Sequence, residues 1–374
     1  MTSKKPRSPF SPSEQYRVGT LEKALTVLEL LERGVRPLSI QEISLAASIH
    51  RAAVFRMLCT LQRRGYVERL ENKRYRSTSR RRRVQIGYCA PLAGSPFRVD
   101  VAASLRDAAA LSNVDLLVVD NNEQDAEASL RSAQLLVDAH VDLVIMFQPV
   151  EWIGHTMADL FLHAAIPFVT VEIPLHGGVY FGANNYRAGR LAGQTLGRFA
   201  DKTWKGRFDG VVLVESSLAS TNVPARLAGV LVGLGETLGT VDETRVTHLD
   251  GRSHLDDSRE AMSAFLTRSR KGQKLLIACF NDPAAIGTLR AVRAAGREKD
   301  VVIVGQNATQ ESREEIRNPR SRFVASIAYF PERYGDKLLR LATSMLNREP
   351  VPPAVYIEHL VIDSRNVEKF YGEK

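Results

Sequence analysis

The chain has 374 residues, 44% of them hydrophobic and 25% charged, the mix of an ordinary globular protein of about two to three domains. That is enough apolar side chain to fill cores without disulfide or metal staples. The net charge of +9 is uneven: residues 1–83 hold 19 Lys and Arg against 7 Asp and Glu, and the remainder holds 32 against 35. A uniformly basic protein is thereby excluded, and a small polyanion-binding head on a nearly neutral body is implied. No run approaches the roughly 20 apolar residues of a membrane span. The basic start (Lys4, Lys5, Arg7) leads into Pro, Ser, Glu and Gln rather than an apolar core, so no secretory signal is expected. Cys59, Cys89 and Cys279 are far apart and odd in number. They read as three buried, reduced thiols, and a cytoplasmic protein is expected.

Residues 1–17 are polar, with Pro6, Pro9 and Pro12, and read as a disordered basic tail. Leu21, Leu25, Leu28 and Leu31 then recur at helical spacing, up to Gly34 and Pro37. Ser39 with Glu42 three residues on is a capping box. It opens a second helix with Ile40, Ile43 and Ala47 on one face. A break at Ser48–His50 leads to a third helix, whose apolar face is Val54, Met57, Leu58 and Leu61 and which stops at Gly65. Residues 66–70, the turn Glu71–Lys73 and Arg74–Ser77 read as a small β-hairpin.

Three helices, a hairpin and excess positive charge make a winged helix-turn-helix over residues 18–78. Its third helix is narrow enough for the major groove and would present Arg51, Ala52 and Arg56. The hairpin would bring Lys73, Arg74 and Tyr75 to the phosphate backbone or minor groove, and the second helix's N-terminus at Ser39 can meet a phosphate. The run Leu38–Val67 with Arg74-Tyr75-Arg76 resembles the DNA-binding domain of the IclR family of bacterial regulators. That family opens its recognition helix with a Pro-Lys-Ser-Thr-type run, where this chain has His50-Arg51-Ala52-Ala53. Two hydroxyls able to touch phosphate are thus missing, and the family's operator preference does not carry over. The basic run 79–83 is a linker, read equally as solvated or as a phosphate clamp.

From residue 84 the rhythm changes. Short apolar runs at 84–90, 114–119, 141–147, 166–171, 210–215, 244–249, 275–280, 300–305 and 323–328 alternate with helical stretches. This pattern predicts an α/β protein with parallel sheets. The segments Val84–Val99, Val141–Pro149, Ile166–Glu172, Asn184–Gly189, Phe280–Gly287 and Val302–Asn307 follow one another as in type I periplasmic sugar-binding proteins and the sensor domains of lactose-repressor-like regulators. The resemblance implies two α/β lobes joined by three crossings with a ligand between them. Lobe one would be about 84–183 plus 330–349, and lobe two about 184–328 plus 352–365. The crossings would fall near 183, 329 and 350, the last at Pro350-Val351-Pro352-Pro353.

A pyranose offers apolar C–H faces that stack on aromatic rings and hydroxyls that need Asn, Asp, Glu or Arg. By motif position the resemblance makes Phe97 the stacking ring, flanked by Ser95 and Arg98. Glu151 and Trp152 end the third strand, and Asn281, Asn307 and Tyr329 come from lobe two and the hinge. Glu172 reads as a polar group of the hinge strand. Three departures from the family matter: Asn307 stands where Asp is common, Ile173 where Arg is frequent, and Arg98 where a second aromatic is usual. They imply a less acidic pocket, in which a sugar acid or other polar metabolite is conceivable.

Gly233-Leu234-Gly235 with Gly239 mimics a dinucleotide fingerprint but lies within a helical stretch. There is no phosphate loop, no nucleophile elbow and no catalytic constellation. His155 and His163 share a helix without a zinc pattern. No catalytic residue, metal or cofactor is expected. The fold expected is an N-terminal winged helix-turn-helix plus a two-lobed α/β domain of the type I periplasmic-binding-protein kind. The function expected is a transcriptional regulator, homodimeric, with double-stranded operator DNA and a small effector, a sugar or sugar derivative, as partners. An α/β enzyme with a regulatory head, such as a sugar kinase-like fusion, and a sugar-binding module without DNA remain the alternatives.

Overall fold

The computed structural model describes residues 18–33, 36–78, 84–92, 94–112, 114–122, 125–217 and 223–372. The tail 1–17 and the basic run 79–83 lie outside the described residues. The chain divides into two compact units, with the boundary between Arg83 and Val84.

The head comprises α1 (Gly19–Arg33), α2 (Ile40–Ala47), α3 (Arg51–Arg63) and the antiparallel hairpin β1 (Val67–Arg69) and β2 (Tyr75–Ser77). Ser39 caps α2 as a full capping box: its Oγ accepts the Glu42 N–H, and the Glu42 carboxylate accepts the Ser39 N–H at 2.7 Å. Val27, Leu31, Ile43, Val54, Leu58, Val67 and Tyr75 fill the core. Leu21 and Leu25, read as part of the apolar stripe of α1, instead face solvent. The buried stripe runs through Val27 and Leu31.

The body holds two six-stranded sheets. In chain order its elements are β3 (Val84–Ala90), α4 (Pro96–Ala110), β4 (Val114–Asp120), α5 (Ala126–Asp138), β5 (Leu143–Met146), α6 (Glu151–His163), β6 (Phe168–Val171), β7 (Val179–Gly182), α7 (Asn185–Trp204), β8 (Gly210–Glu215), α8 (Val223–Leu238), β9 (Val246–Asp250), α9 (Leu255–Arg268), β10 (Leu275–Cys279), α10 (Asp282–Ala294), β11 (Val301–Asn307), α11 (Gln310–Arg317), β12 (Phe323–Ala328), α12 (Tyr334–Leu346), β13 (Ala354–Tyr356), β14 (Leu360–Asp363) and α13 (Val367–Tyr371). Lobe one has the strand order β13-β7-β6-β5-β3-β4 and lobe two the order β14-β12-β11-β10-β8-β9. All ladders in the two sheets are parallel except β12–β14.

Near-continuous apolar runs fit such strands because helices cover both faces. On β8, Val211 and Leu213 join one core cluster with Leu196 of α7 and Val230 of α8. Val212 and Val214 point the other way, into a cluster with Met262 of α9 and Ile286 of α10. The helices α7 and α8 pack backbone to backbone. A Cβ on Gly189 would lie 1.8 Å from the Arg226 carbonyl oxygen, and one on Gly193 would lie 2.0 Å from that of Val230. Gly233, part of the apparent dinucleotide fingerprint, meets the Arg190 carbonyl in the same way. Its role is helix approach.

The chain leaves lobe one after β7, when α7 packs on the other sheet, and returns after β12, when α12 packs against α4 and β5. The third crossing is not at Pro350–Pro353. Ala354–Tyr356 pairs in parallel with β7 and still belongs to lobe one, while Leu360–Asp363 pairs antiparallel with β12 in lobe two. The crossing is therefore Ile357–His359. The proline run lies one strand early because a three-residue strand is too short to show a period. Cys89 and Cys279 are buried, but Cys59 is exposed on α3, which corrects the expectation of three buried thiols.

Candidate functional site

A cavity of about 730 Å³ opens between the lobes, within the range of small-molecule sites. It lies at the C-terminal ends of parallel strands, where α/β folds place their ligands. From lobe one, the turn after β3 brings Ser95, Phe97 and Arg98, and the turn after β5 brings Phe147 and Trp152. Buried Gln148 shapes that second turn: its Oε1 accepts the Val150 N–H at 3.0 Å and its Nε2 donates to the Ser129 hydroxyl at 3.1 Å. From lobe two come Asn185, Arg226, the Arg252–His254 turn, Phe280, Asn281 and Asn307, and Tyr329 arrives on the second crossing.

Arg226 forms the polar floor. Only 7% exposed, it donates from Nε to Asn185 Oδ1 at 2.9 Å and from Nη1 to the Phe280 carbonyl at 2.6 Å. Its guanidinium carbon sits 4.3 Å from the centroid of Phe280 and 5.4 Å from that of Tyr329, two cation–π contacts. Phe97 meets Phe147, Tyr329 and Tyr334 edge-on at 6.3, 6.4 and 5.5 Å. Asn281 caps α10 by accepting the Ala284 N–H at 2.9 Å and donates to the Ser253 carbonyl at 3.0 Å. It thereby holds the β9–α9 turn at the mouth of the cavity.

Several lining residues have left-handed backbone: Glu172 (φ +64°), Arg252 (+49°), Ser253 (+63°) and Asn307 (+107°). Such conformations are costly for non-glycine residues and concentrate at functional sites. Asn307 is held by its neighbours. Ser326 Oγ accepts the Ala308 N–H at 2.9 Å and donates to Asp282 Oδ1 at 2.7 Å, and Asp282 Oδ2 accepts the Thr309 N–H at 2.7 Å. Burial pushes the Asp282 carboxyl up to about 6, against the pull of these hydrogen bonds.

The crossings are tied to one another. The Glu172 carboxylate accepts the Ala183 N–H at 3.2 Å, on the first crossing, and the Tyr334 hydroxyl at 2.6 Å, just past the second. Burial raises the pKa of Glu172 above the usual carboxylate range. His359, on the third crossing, accepts the Asn184 N–H at Nε2 at 3.1 Å and packs 4.7 Å from the Tyr329 ring. Its pKa falls to about 4 through burial.

In the head, the exposed face of α3 carries Arg51, Ala52, Phe55, Arg56 and Cys59. Phe55, 47% exposed, was not singled out in the sequence, yet an aromatic there can meet a thymine methyl. Lys73 is exposed at the hairpin tip. Two expected contacts are corrected. Tyr75 is 2% exposed and belongs to the core, so its ring is unavailable to a duplex. Arg74 is half-buried, donating to the Pro37 carbonyl at 2.9 Å and to Glu42 Oε2 at 3.0 Å, so it locks the wing to α2. Arg36 pairs with the other Glu42 oxygen at 3.0 Å. The hydrogen bonds from Ser39 and this arginine hold Glu42 down to about 2. The Ser39 hydroxyl is already engaged in its cap.

In the body, Glu151 is corrected as well: it lies outside the cavity lining, on α6 beside His155 at 3.9 Å, because its Cα falls one step round the helix from Trp152. Ser95, Phe97, Arg98, Trp152, Asn281, Asn307 and Tyr329 do line the cavity. Asn185, Arg226, Arg252 and His254 line it too and were missed. Asn185 and Arg226 sit among the Gly189/Gly193 and Gly229/Gly233 pairs, whose four-residue spacing is a readable sign of close helix pairing.

Residues 86–350 match the family model described as the periplasmic binding protein domain. The chain belongs to that family. Residues 20–71 match the IclR helix-turn-helix domain, so a helix-turn-helix head precedes the periplasmic-binding-protein domain. Over 260 residues the chain is 22% identical to the ribose import binding protein of Salmonella typhimurium, covering 69% of this chain and 83% of that one. Among solved structures, it resembles a periplasmic solute binding protein from Actinobacillus succinogenes with bound D-allose (TM-score 0.67, 18% identity, 76% of this chain and 99% of that one). It also resembles the Caulobacter myo-inositol binding protein bound to myo-inositol (TM-score 0.65, 23% identity, 77% and 95%). At these identities the solved structures establish the fold of the periplasmic-binding-protein domain. No helix among the described residues is long and apolar enough to cross a membrane.

Proposed function

We propose that this protein is a ligand-responsive transcriptional regulator, cytoplasmic and homodimeric, whose head binds operator DNA and whose body closes on a monosaccharide or related polyol. One observation carries this reading: a basic helix-turn-helix head shares a chain with a two-lobed body whose cavity combines aromatic rings (Phe97, Phe147, Phe280) with a buried arginine. Rings suit the C–H faces of a sugar, and Arg226, Asn307 and Ser95 suit its oxygens. The ligands of these relatives, ribose, D-allose and myo-inositol, support a polyhydroxylated effector.

On this reading Arg51, Ala52 and Arg56 face bases or phosphates from the major groove and Lys73 contacts the backbone. In the body, Trp152, Asn281 and Tyr329 frame the sugar, with Arg98 at its edge. Two heads of a dimer would meet half-sites about 34 Å apart, and closure of the lobes would alter their fit. No catalytic step is needed, since a ligand shifts such an equilibrium through its differential affinity for the open and closed states.

A thermal-shift screen of the full chain against sugars, polyols and sugar acids tests the sensor half. A stabilising hit raises the melting temperature by mass action, and the absence of any hit contradicts that half. A gel-shift assay with genomic fragments tests the head. Binding that weakens steeply with salt is expected, and no retarded fragment at low salt contradicts DNA recognition.

A further inference from the structure

Hydrogen-bonding capacity in the cavity is lopsided. Among the described residues, three guanidinium groups line it, from Arg98, Arg226 and Arg252, against one carboxylate, Glu172. That carboxylate is already engaged by the Ala183 N–H and the Tyr334 hydroxyl. The other strong acceptors are also occupied: Asn185 Oδ1 by Arg226, and Asn281 Oδ1 by the Ala284 N–H. What remains on the acceptor side, among the described side chains, is the Asn307 amide, the hydroxyls of Ser95, Ser253 and Tyr329 and the His254 ring, with no second carboxylate. On the donor side, Arg226 spends three of its N–H bonds on Asn185 and Phe280 and keeps two of the five that a guanidinium carries. None of these bonds reaches a carboxylate: the 7% exposed cation interacts with Glu172 through space rather than through these hydrogen bonds. Arg252 stands at the mouth, fixed on a turn in which it and Ser253 are both left-handed.

A neutral sugar brings a proton to donate with every hydroxyl, so it needs acceptors in number. A carboxylate or phosphate brings acceptors only, and pairs with arginine in charge-assisted, often bidentate bonds. Burying a cation without a directly bonded counter-ion is costly, and an anionic ligand relieves that cost where a neutral one does not. From this imbalance we infer that the effector is an anionic sugar derivative, a polyol carrying a carboxylate or phosphate, with the anionic group directed at the guanidinium groups of Arg98, Arg226 and Arg252. The inference rests on the sugar-sensing reading above and narrows it.

The test is calorimetric titration of the full chain with matched pairs: D-glucose against D-gluconate and D-glucuronate, D-galactose against D-galactonate, and D-glucose against D-glucose 6-phosphate. At least one acid or phosphate is expected to bind tenfold or more tightly than its neutral parent, and the two anion arms decide between carboxylate and phosphate. A double variant, Arg98→Gln with Arg252→Gln, should shrink that preference toward equality. Since Arg98 is only half-buried and Arg252 exposed, folding is expected to survive, and the circular dichroism spectrum checks it. Neutral sugars binding as tightly as every charged partner would overturn the inference while leaving the sugar reading intact. A preference that persists unchanged in the folded double variant would also overturn it. Binding of none of these compounds would count against the sugar reading itself.

Discussion

Arg226 and Asn185 are joined by a 2.9 Å hydrogen bond from Nε to Oδ1, linking the first turns of α8 and α7 beneath the cavity. The amide is the acceptor that fixes the guanidinium at the cavity wall, so the pair acts as a unit. Asn185→Ala should destabilise the body by about 1–3 kcal/mol, the cost of orphaning a buried hydrogen-bonded donor. It should also weaken effector binding at least tenfold. Urea denaturation with titration calorimetry measures both. A variant of full affinity would mean that Phe280 and the flanking rings position Arg226 alone.

The same two helices supply a packing prediction. Gly189→Ala drives a methyl into the Arg226 carbonyl and Gly193→Ala one into that of Val230, and backbone atoms cannot yield as a side-chain tip can. Each variant should lose about 1–3 kcal/mol, as overpacked cores do. Gly189→Ala, next to Arg226, should also impair ligand affinity more than Gly193→Ala. Gly235 has open space at its Cβ, so Gly235→Ala within α8 should be neutral or gain up to about 1 kcal/mol from helix propensity.

In the head, contact and scaffold residues should separate by salt dependence. Lys73→Ala should weaken DNA binding evenly across sequences and lower the salt slope by about 1, whereas Arg56→Ala should cost about 1–3 kcal/mol if it reads a base. Arg74→Ala should instead loosen the wing, because it removes the bonds that tie the hairpin to Glu42 and the Pro37 carbonyl. Tyr75→Ala empties a core position and should cost about 3–5 kcal/mol of head stability, as large aromatic truncations do. Fluorescence anisotropy over a salt series, with hydrogen exchange of the head amides, distinguishes the two classes.

Two buried groups should make opposing contributions to stability against pH. Asp282 has a folded pKa raised from 3.8 to about 6. Between those values the unfolded chain has released a proton that the folded chain keeps. Its contribution is therefore fully present below pH 3.8 and is lost by pH 6, a fall of about 3 kcal/mol. His359 has a folded pKa lowered from 6.5 to about 4. Its contribution is present above 6.5 and disappears as the pH falls to 4, again about 3 kcal/mol. The two largely offset each other between pH 4 and 6. His359→Gln should expose the Asp282 slope, so that the variant gains stability on acidification relative to wild type. Chemical denaturation at pH 4, 5 and 6 would show it, and parallel curves would refute it.

Much of this architecture is legible in the chain because burial on both faces writes long apolar runs, as at Val84–Ala90 and Gly210–Glu215. The hidden strands are those without such a signature: Val179–Gly182 offers three apolar residues before a glycine, Ala354–Tyr356 only three residues in all, and Leu360–Asp363 sits at an edge. The misplaced third crossing follows directly from the second of these. At the site, residues on strand-end turns (Phe97, Asn281, Asn307) are visible by order, since the turn positions recur with the strands. Arg226 and Asn185 are not, because their role depends on the crossing of two helices 41 residues apart. Tyr75 and Arg74 look like wing contacts in a basic string, and only the folded hairpin shows the first in the core and the second bonded to Pro37 and Glu42.

The central claim is that one chain couples a ligand in the body to DNA held by the head. Coupling of two equilibria is reciprocal, so the direct measurement is the affinity of the full chain for an operator fragment, by anisotropy at fixed salt, with and without saturating effector. A shift of at least fivefold is expected, and it should disappear in a folded Asn185→Ala variant at the same effector concentration. An operator affinity unchanged by an effector that demonstrably saturates the cavity would contradict it.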